Sequence, residues 1–244
     1  ADWILRGGDP DLRARPELDR NLWVGSYVRL YLERDVRQVI NVADLDSFER
    51  FLRLTAARTG CLLNLSDLAR DAAISPTTAG RWLSVLQDSY QIILVPPFHR
   101  NLSKRLVKTP RLYFLDTAIA SYLMGIHSSE PLIHGASWSP LFETACVAEL
   151  IKHQALSTAP AAVSFFRTAA GLEVDLVLEQ GTRLDGIEIK AGKTPSPGWV
   201  EPLRRFAELV PGVESLSIRA PVEHETLLAD GIVLRPWHRW ERVD

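Results

Sequence analysis

Between His153 and Val163 the apolar residues change their spacing, from the three-and-four rhythm of helices to the runs and alternation of strands. That switch restricts the chain to an α+β or α/β architecture whose sheet lies in its C-terminal part. Before the switch, Leu22, Trp23, Tyr27, Leu30, Tyr31, Val36 and Ile40 predict an amphipathic helix over residues 21–40. A second helix follows from Leu45, patterned by Phe48, Phe51, Leu52 and Leu54 and stopping near Gly60. Two short helices are expected between Asn64 and Asp88. Leu65, Leu68 and Ala69 mark the first; the Ser75-Pro76 start signal with Ala79, Trp82, Leu83 and Leu86 marks the second. This is a helix-turn-helix pattern.

Two strand-like runs come next, Ile92–Val95 and Leu112–Leu115. The segment joining them carries Arg100, Lys104, Arg105, Lys108 and Arg111 and no acid. Helices followed by a basic-tipped hairpin predict a winged helix, with Arg100, Lys104, Arg105 and Lys108 placed for phosphate contacts and Arg81 on the second helix placed to read bases. Asp116 is the expected N-cap of a short helix ended by Gly125, and residues 127–138 are the expected linker. Beyond it the order is αβββαβ: a helix from Ser139-Pro140 to about His153, strands at Val163–Arg167, Leu172–Leu178 and Leu184–Lys190, a helix at Trp199–Val210, and strands near Leu216–Ile218 and Ile232–Leu234. The domains expected are a helical segment (1–44), the winged helix (45–126), the linker and a C-terminal domain (139–244).

The balance of 28 Lys and Arg against 30 Asp and Glu, a net charge of −2, argues against a surface that is basic throughout, so any polyanion site must be local. The two cysteines, Cys61 and Cys146, are far apart, which excludes a disulfide framework and a C-x-x-C metal knuckle and makes a reduced cytoplasm the expected home. No apolar run approaches the ~18 residues that cross a bilayer, so no membrane partner is expected.

Three segments hold the candidate chemistry. Glu143 shares a helical stripe with Val147, Leu150 and Ile151, so a carboxylate sits on the face expected to be buried. In Leu172–Leu178, alternation puts Glu173 and Asp175 on one face and Leu172, Val174, Leu176 and Leu178 on the other. In Ile187-Glu188-Ile189-Lys190 it puts Glu188 beside Lys190. Converging carboxylates suit a hard divalent cation such as Mg²⁺ or Mn²⁺, and a nearby Lys can stabilise charge on a scissile phosphate. For any one strand the plain alternative is a half-exposed sheet with a cross-strand ion pair.

Glu143, Asp175 and Glu188-Ile189-Lys190, in αβββαβ order, resemble the active-site signature of the PD-(D/E)xK nucleases, of restriction-endonuclease-like fold. The resemblance implies that Glu143, Asp175 and Glu188 are metal ligands and Lys190 the catalytic lysine. The Gln-bearing helix that some relatives use after the lysine has no counterpart, since residues 199–210 contain no Gln. More widely, Ile4–Pro10 (ILRGGDP), Tyr27–Val36 (YVRLYLERDV), Lys108–Thr117 (KTPRLYFLDT), Leu141–Glu143 and Glu173–Leu176 (EVDL) resemble the C-terminal half of a prokaryotic family of AAA+ ATPase-like proteins. That implies a P-loop ATPase module preceding Ala1, which would itself be a partner, and fits the absence of an initiator Met.

Two functions follow as expectations. One is a DNA-associated module with an Mg²⁺-dependent nuclease-like site. The other is a non-catalytic regulatory or protein-interaction half of an ATPase, with homo-oligomerisation among its roles. Gly192-Lys193-Thr194 imitates the end of a P-loop, but position 187, where the earlier glycine would fall, is Ile, so ATP binding by this stretch is not expected. His224-Glu225 lacks the second His of a zincin helix.

Overall fold

The structure is a computed structural model that describes residues 1–36, 45–98 and 108–240, apart from the side chain of Asp35. It divides into two compact units, one of Ala1–Leu94 with Leu112–Ala145, the other of Val95–Arg111 with Cys146–Asp244.

The first unit opens with α1 (Asp2–Arg6), α2 (Pro10–Ala14) and α3 (Arg20–Leu30), and α3 continues as a π-helical turn over Tyr31–Val36. The helix expected over residues 21–40 is therefore present to Val36, and the rest of that span lies outside the described residues. Its buried stripe is narrower than the apolar pattern suggests. Val24, Val28 and Tyr31 are buried, while Leu22 and Leu30 are exposed. The Gly7-Gly8 turn is tied to a distant segment by Asp116: its carboxylate accepts from the Gly8 amide at 3.0 Å and caps the following helix through the Ala118 and Ile119 amides. Gly7 has φ 66°, and a Cβ there would collide with that carboxylate. Two of the segments that carry the family resemblance, Ile4–Pro10 and Lys108–Thr117, thus meet at one side chain. Arg20 does comparable work: buried, it donates to the carbonyls of Leu5, Ala118 and Ile126 and to the Ser121 hydroxyl.

Next come α4 (Leu45–Ala56), β1 (Cys61–Leu62), α5 (Leu65–Asp71), α6 (Pro76–Asp88), β2 (Ile92–Val95) and β3 (Arg111–Phe114), with the strands in the order β1-β3-β2. Asn64 caps α5 through the Asp67 amide, and Ser75 caps α6 through the Thr78 amide ahead of Pro76. Phe48 and Phe51 of α4 meet Trp82 of α6 edge-on, with ring centroids 5.3 and 5.6 Å apart. α7 (Thr117–Leu123) follows the Asp116 cap; α8 (Ser129–His134) occupies the stretch expected to be a linker; and α9 (Trp138–Ala155) crosses the division between the units.

The second unit is built on β4 (Ala162–Arg167), β5 (Glu173–Gln180), β6 (Arg183–Ile189), α10 (Glu201–Leu209), β7 (Val213–Ala220), β8 (Thr226–Leu227) and β9 (Val233–Pro236). The six strands form one sheet in the order β4-β5-β6-β7-β9-β8. β4, β5 and β6 run antiparallel, β6–β7 and β7–β9 parallel, and β8, absent from the sequence pattern, adds an antiparallel edge. The helix between β6 and β7 supplies the crossover that a parallel pair requires. Its Leu203 and Phe206 pack with Val177, Leu184 and Ile218. On the other face, α9 brings Leu150 and His153 to a cavity that Leu178 and Ile187 also line. Both faces are thus covered, and the half-exposed sheet allowed by the sequence is not formed.

The approach of α10 is set by Gly186, where a Cβ would lie 2.9 Å from Leu216 and 3.0 Å from Phe206. Gly186→Ala should therefore lower stability by about 1–3 kcal/mol through overpacking, read as a reduced urea midpoint with an unchanged m-value.

Candidate functional site

Asp175 lies at an irregularity in the sheet. Ser164 pairs with Val177 and Phe166 with Val174, so two residues of β5, Asp175 and Leu176, lie opposite the single Phe165 of β4. Such a bulge interrupts strict alternation and re-aims a side chain. Accordingly, Val174 and Val177, three positions apart, enter the same core, and the single alternating face expected across Leu172–Leu178 is broken. The Asp175 carboxylate is fixed by the Ile189 amide, which donates to Oδ2 at 2.8 Å. That bond brings it against Glu188, the next residue of β6.

Glu188 is 5% exposed. One oxygen, Oε1, accepts from Lys190 Nζ at 2.7 Å, while Oε2 is buried without a hydrogen-bond partner. Burial, then the Asp175 charge, push its carboxyl up to about 8, against the opposing pull of Lys190. A carboxyl held this far from its ordinary range by desolvation and a second carboxylate is the kind of group found at functional sites.

Arg111, which the sequence groups with the basic segment before it, is buried instead. Its guanidinium pairs with Glu173, reaches Asp175 Oδ1 at 3.4 Å and lies 5.3 Å from the centre of the Phe165 ring. Arg167, the cross-strand partner of Glu173, contacts its other oxygen at 3.2 Å. Glu173, Asp175 and Glu188 are thus faced by Arg111, Arg167 and Lys190. The signal for Arg111 was a lone cation opening the otherwise apolar run Leu112–Leu115, a placement that costs free energy unless a carboxylate receives it.

Glu143 belongs to the first unit, partly buried on α9, where its Oε1 accepts from the Tyr113 hydroxyl. Among the described residues there is no group of three or more His, Cys, Asp or Glu side chains placed to hold a metal ion. The pair that the structure brings together is Asp175 with Glu188, and Lys190 beside them. Arg81 is exposed on α6 and Lys108 is exposed before β3; Arg100, Lys104 and Arg105 lie outside the described residues. No helix among the described residues is long and apolar enough to cross a membrane.

The raised Glu188 carboxyl has a measurable consequence for stability. Unfolded, this group ionises near 4.5; folded, it holds its proton to about 8. Between those values the folded state binds more protons, so its contribution to stability is complete below the lower value and lost as pH rises through the window, by up to ~1.4 kcal/mol per pH unit. Urea midpoints measured from pH 5 to 8 should fall more steeply for the metal-free protein than for Glu188→Gln, which carries the neutral group at every pH.

Comparison with known proteins gives two family matches and distant relatives. Two proteins, "Uncharacterized protein Mb2031c" of Mycobacterium bovis and "Uncharacterized protein Rv2008c" of Mycobacterium tuberculosis, are each 30% identical over 238 residues, 96% of this chain and 52% of theirs. The chain spans about half the length of these relatives. A chain of a Thermococcus gammatolerans assembly of McrB AAA+ hexamers with bound McrC aligns at 11% identity over 76% of this chain and 46% of that one, with a TM-score of 0.30, too low to establish a common fold. Residues 139–238 match the domain of unknown function DUF4143. Residues 1–130, more than half of the 244, match the domain of unknown function DUF8612, and the chain belongs to that family.

Proposed function

We propose that the chain is the nucleic-acid-processing part of an AAA+ ATPase-related protein, with a winged helix that docks DNA and a PD-(D/E)xK nuclease-like unit that cleaves phosphodiesters. The association with ATPases is supported by the DUF4143 match, since that domain is found in AAA-ATPase-associated proteins. The order α4-β1-α5-α6-β2-β3 with strands arranged β1-β3-β2 supports the winged helix. The order α9-β4-β5-β6-α10-β7, antiparallel through β6 and then parallel, supports the nuclease-like unit. The observation that carries the reading is the desolvated Glu188 carboxylate, with one oxygen unpartnered, beside Asp175 and in contact with Lys190.

The donor set at this place fits a hard divalent cation: two carboxylates, one with a buried oxygen lacking a donor. Asp175 and Glu188 would hold it, and bound Mg²⁺ or Mn²⁺ would supply Lewis-acid polarisation of the scissile phosphate. The rest of the work falls to the chain. The Ile189 amide and Arg111 hold Asp175 in place. Lys190 brings a positive charge to the phosphate that develops negative charge during cleavage. Burial excludes water from the pair and strengthens every electrostatic term there.

One observation favours a second reading, a non-catalytic regulatory module. Arg111, Arg167 and Lys190 already face Glu173, Asp175 and Glu188, so the cluster is balanced by resident cations.

Cleavage of single- and double-stranded DNA and RNA in Mg²⁺ or Mn²⁺ separates the two. The catalytic reading expects activity abolished by chelator and lowered at least about a hundredfold in Glu188→Gln and in Lys190→Ala. Absence of cleavage by the wild-type protein, together with no detectable Mg²⁺ or Mn²⁺ binding by calorimetry, would overturn the catalytic reading and support the regulatory one. For DNA docking, with three or four phosphate contacts from the basic segment, log affinity should fall against log salt with a slope of roughly −3 to −4. The double change Lys104→Ala with Arg105→Ala should flatten that slope by about two; unchanged binding would remove this segment from the interface.

A further inference from the structure

The opposite side of β6 from Glu188 carries a different electrostatic problem. A cavity of about 100 Å³ is lined there by Asp185 of β6, Ser217 and Arg219 of β7, Arg235 of β9 and Trp240, with His153 of α9. Three N–H donors around it are buried without a hydrogen-bond partner: Arg219 Nε, Arg235 Nε and Trp240 Nε1. All three are donors. Buried donors lacking acceptors are costly and rare in native proteins, so their convergence on one cavity calls for an acceptor in it.

The charges point the same way. The parallel register pairs Arg219 with Arg235, setting two guanidinium groups side by side. Arg219 is 5% exposed, and its remaining contacts are the Arg239 carbonyl and the Trp240 ring, 4.5 Å from the guanidinium carbon, neither of which bears a charge. Burial, then the neighbouring Arg235, bring its pKa down to about 10, against the weaker opposing pull of Cys146 and Glu225. Arg235 meets Glu225 at 3.3 Å, but that carboxylate is half exposed and misdirected for a hydrogen bond to Nε. Asp185 does not supply the acceptor, because it is engaged by the Ser215 hydroxyl at 2.8 Å and by Arg183 at 2.9 Å. A volume of about 100 Å³ corresponds to roughly three water molecules. That is room for one tetrahedral oxyanion.

We propose that this cavity binds a single phosphate-class oxyanion, held by Arg219, Arg235 and the indole N–H of Trp240. The site is independent of the hydrolysis proposed above and stands or falls separately from it. Its ligand is either free inorganic phosphate or the terminal phosphate of a nucleic-acid strand, which share this chemistry.

Calorimetry with inorganic phosphate, against sodium chloride at equal ionic strength, is the direct test. Saturable binding is expected, with a rise in Tm that chloride does not produce. Arg235→Gln should weaken binding at least tenfold. Trp240→Phe, which keeps the ring and removes the donor, should weaken it several-fold. Arg219→Lys, which keeps the charge and removes Nε, should also weaken it; if that variant fails to fold by circular dichroism, the other two carry the test. Phosphate binding no stronger than that of chloride, or variants that bind as the wild type does, would overturn the proposal. A 5′-phosphorylated oligonucleotide compared with its dephosphorylated form identifies the source. A gain in affinity that depends on the phosphate and is lost in Arg235→Gln assigns the site to a strand end, whereas equal binding of the two with saturable inorganic phosphate assigns it to the free ion.

Discussion

A sheet covered on both faces gives the charges on its strands little water, and the second unit is organised around that constraint. Glu188, Asp175, Arg111 and Arg219 are all buried. In such surroundings each ion must be met by a counter-ion, by fixed backbone dipoles or by a shifted protonation state. The structure uses all three. Arg111 meets Glu173 and Asp175, the Ile189 amide meets Asp175, and Glu188 retains its proton at pH values where an exposed glutamate has lost it. The bulge at Asp175–Leu176 serves the second arrangement, because it interrupts strict alternation where Asp175 turns to the amide of Ile189.

The first unit solves a related problem with backbone rather than with carboxylates. Arg20 is buried with most of its donors on carbonyl oxygens, and burial brings its pKa down to about 10 despite the nearby Asp116. Asp116 itself serves two distant segments at once, as the cap of α7 and as acceptor for Gly8. These two side chains tie α1, α3 and α7 together through polar bonds of fixed direction. That accounts for a Gly-Gly turn where a bulkier residue would strike the Asp116 carboxylate.

Much of the element order was legible from periodicity, because amphipathic helices and apolar strands carry their period in the sequence. The helix starts at Ser75 and Asp116 and the order αβββαβ were readable as well, from cap residues and from period, whereas the cap at Asn64 was not singled out. The pairing of Asp175 with Glu188 could be framed from alternation, but the bulge that aims Asp175 could not, since one extra residue in a strand leaves no trace in an apolar pattern. Arg111 reads two ways in the sequence, as the end of a basic segment and as a cation opening the apolar run Leu112–Leu115; the second reading holds, but which carboxylates receive it is set by the fold. The arginine cavity was invisible for a further reason. Arg219 and Arg235 lie on strands that become neighbours through a parallel register, and parallel pairings join residues whose separation in sequence carries no signal.

The two faces of the sheet therefore present opposite deficits within a few residues of each other. Near Glu188 there is carboxylate oxygen without a donor; near Arg219 there are donors without an acceptor. Neither can satisfy the other, because they lie on opposite sides of a hydrogen-bonded sheet, with Glu188 beside Ile218 and Ile189 beside Arg219 in adjacent positions of the same ladder.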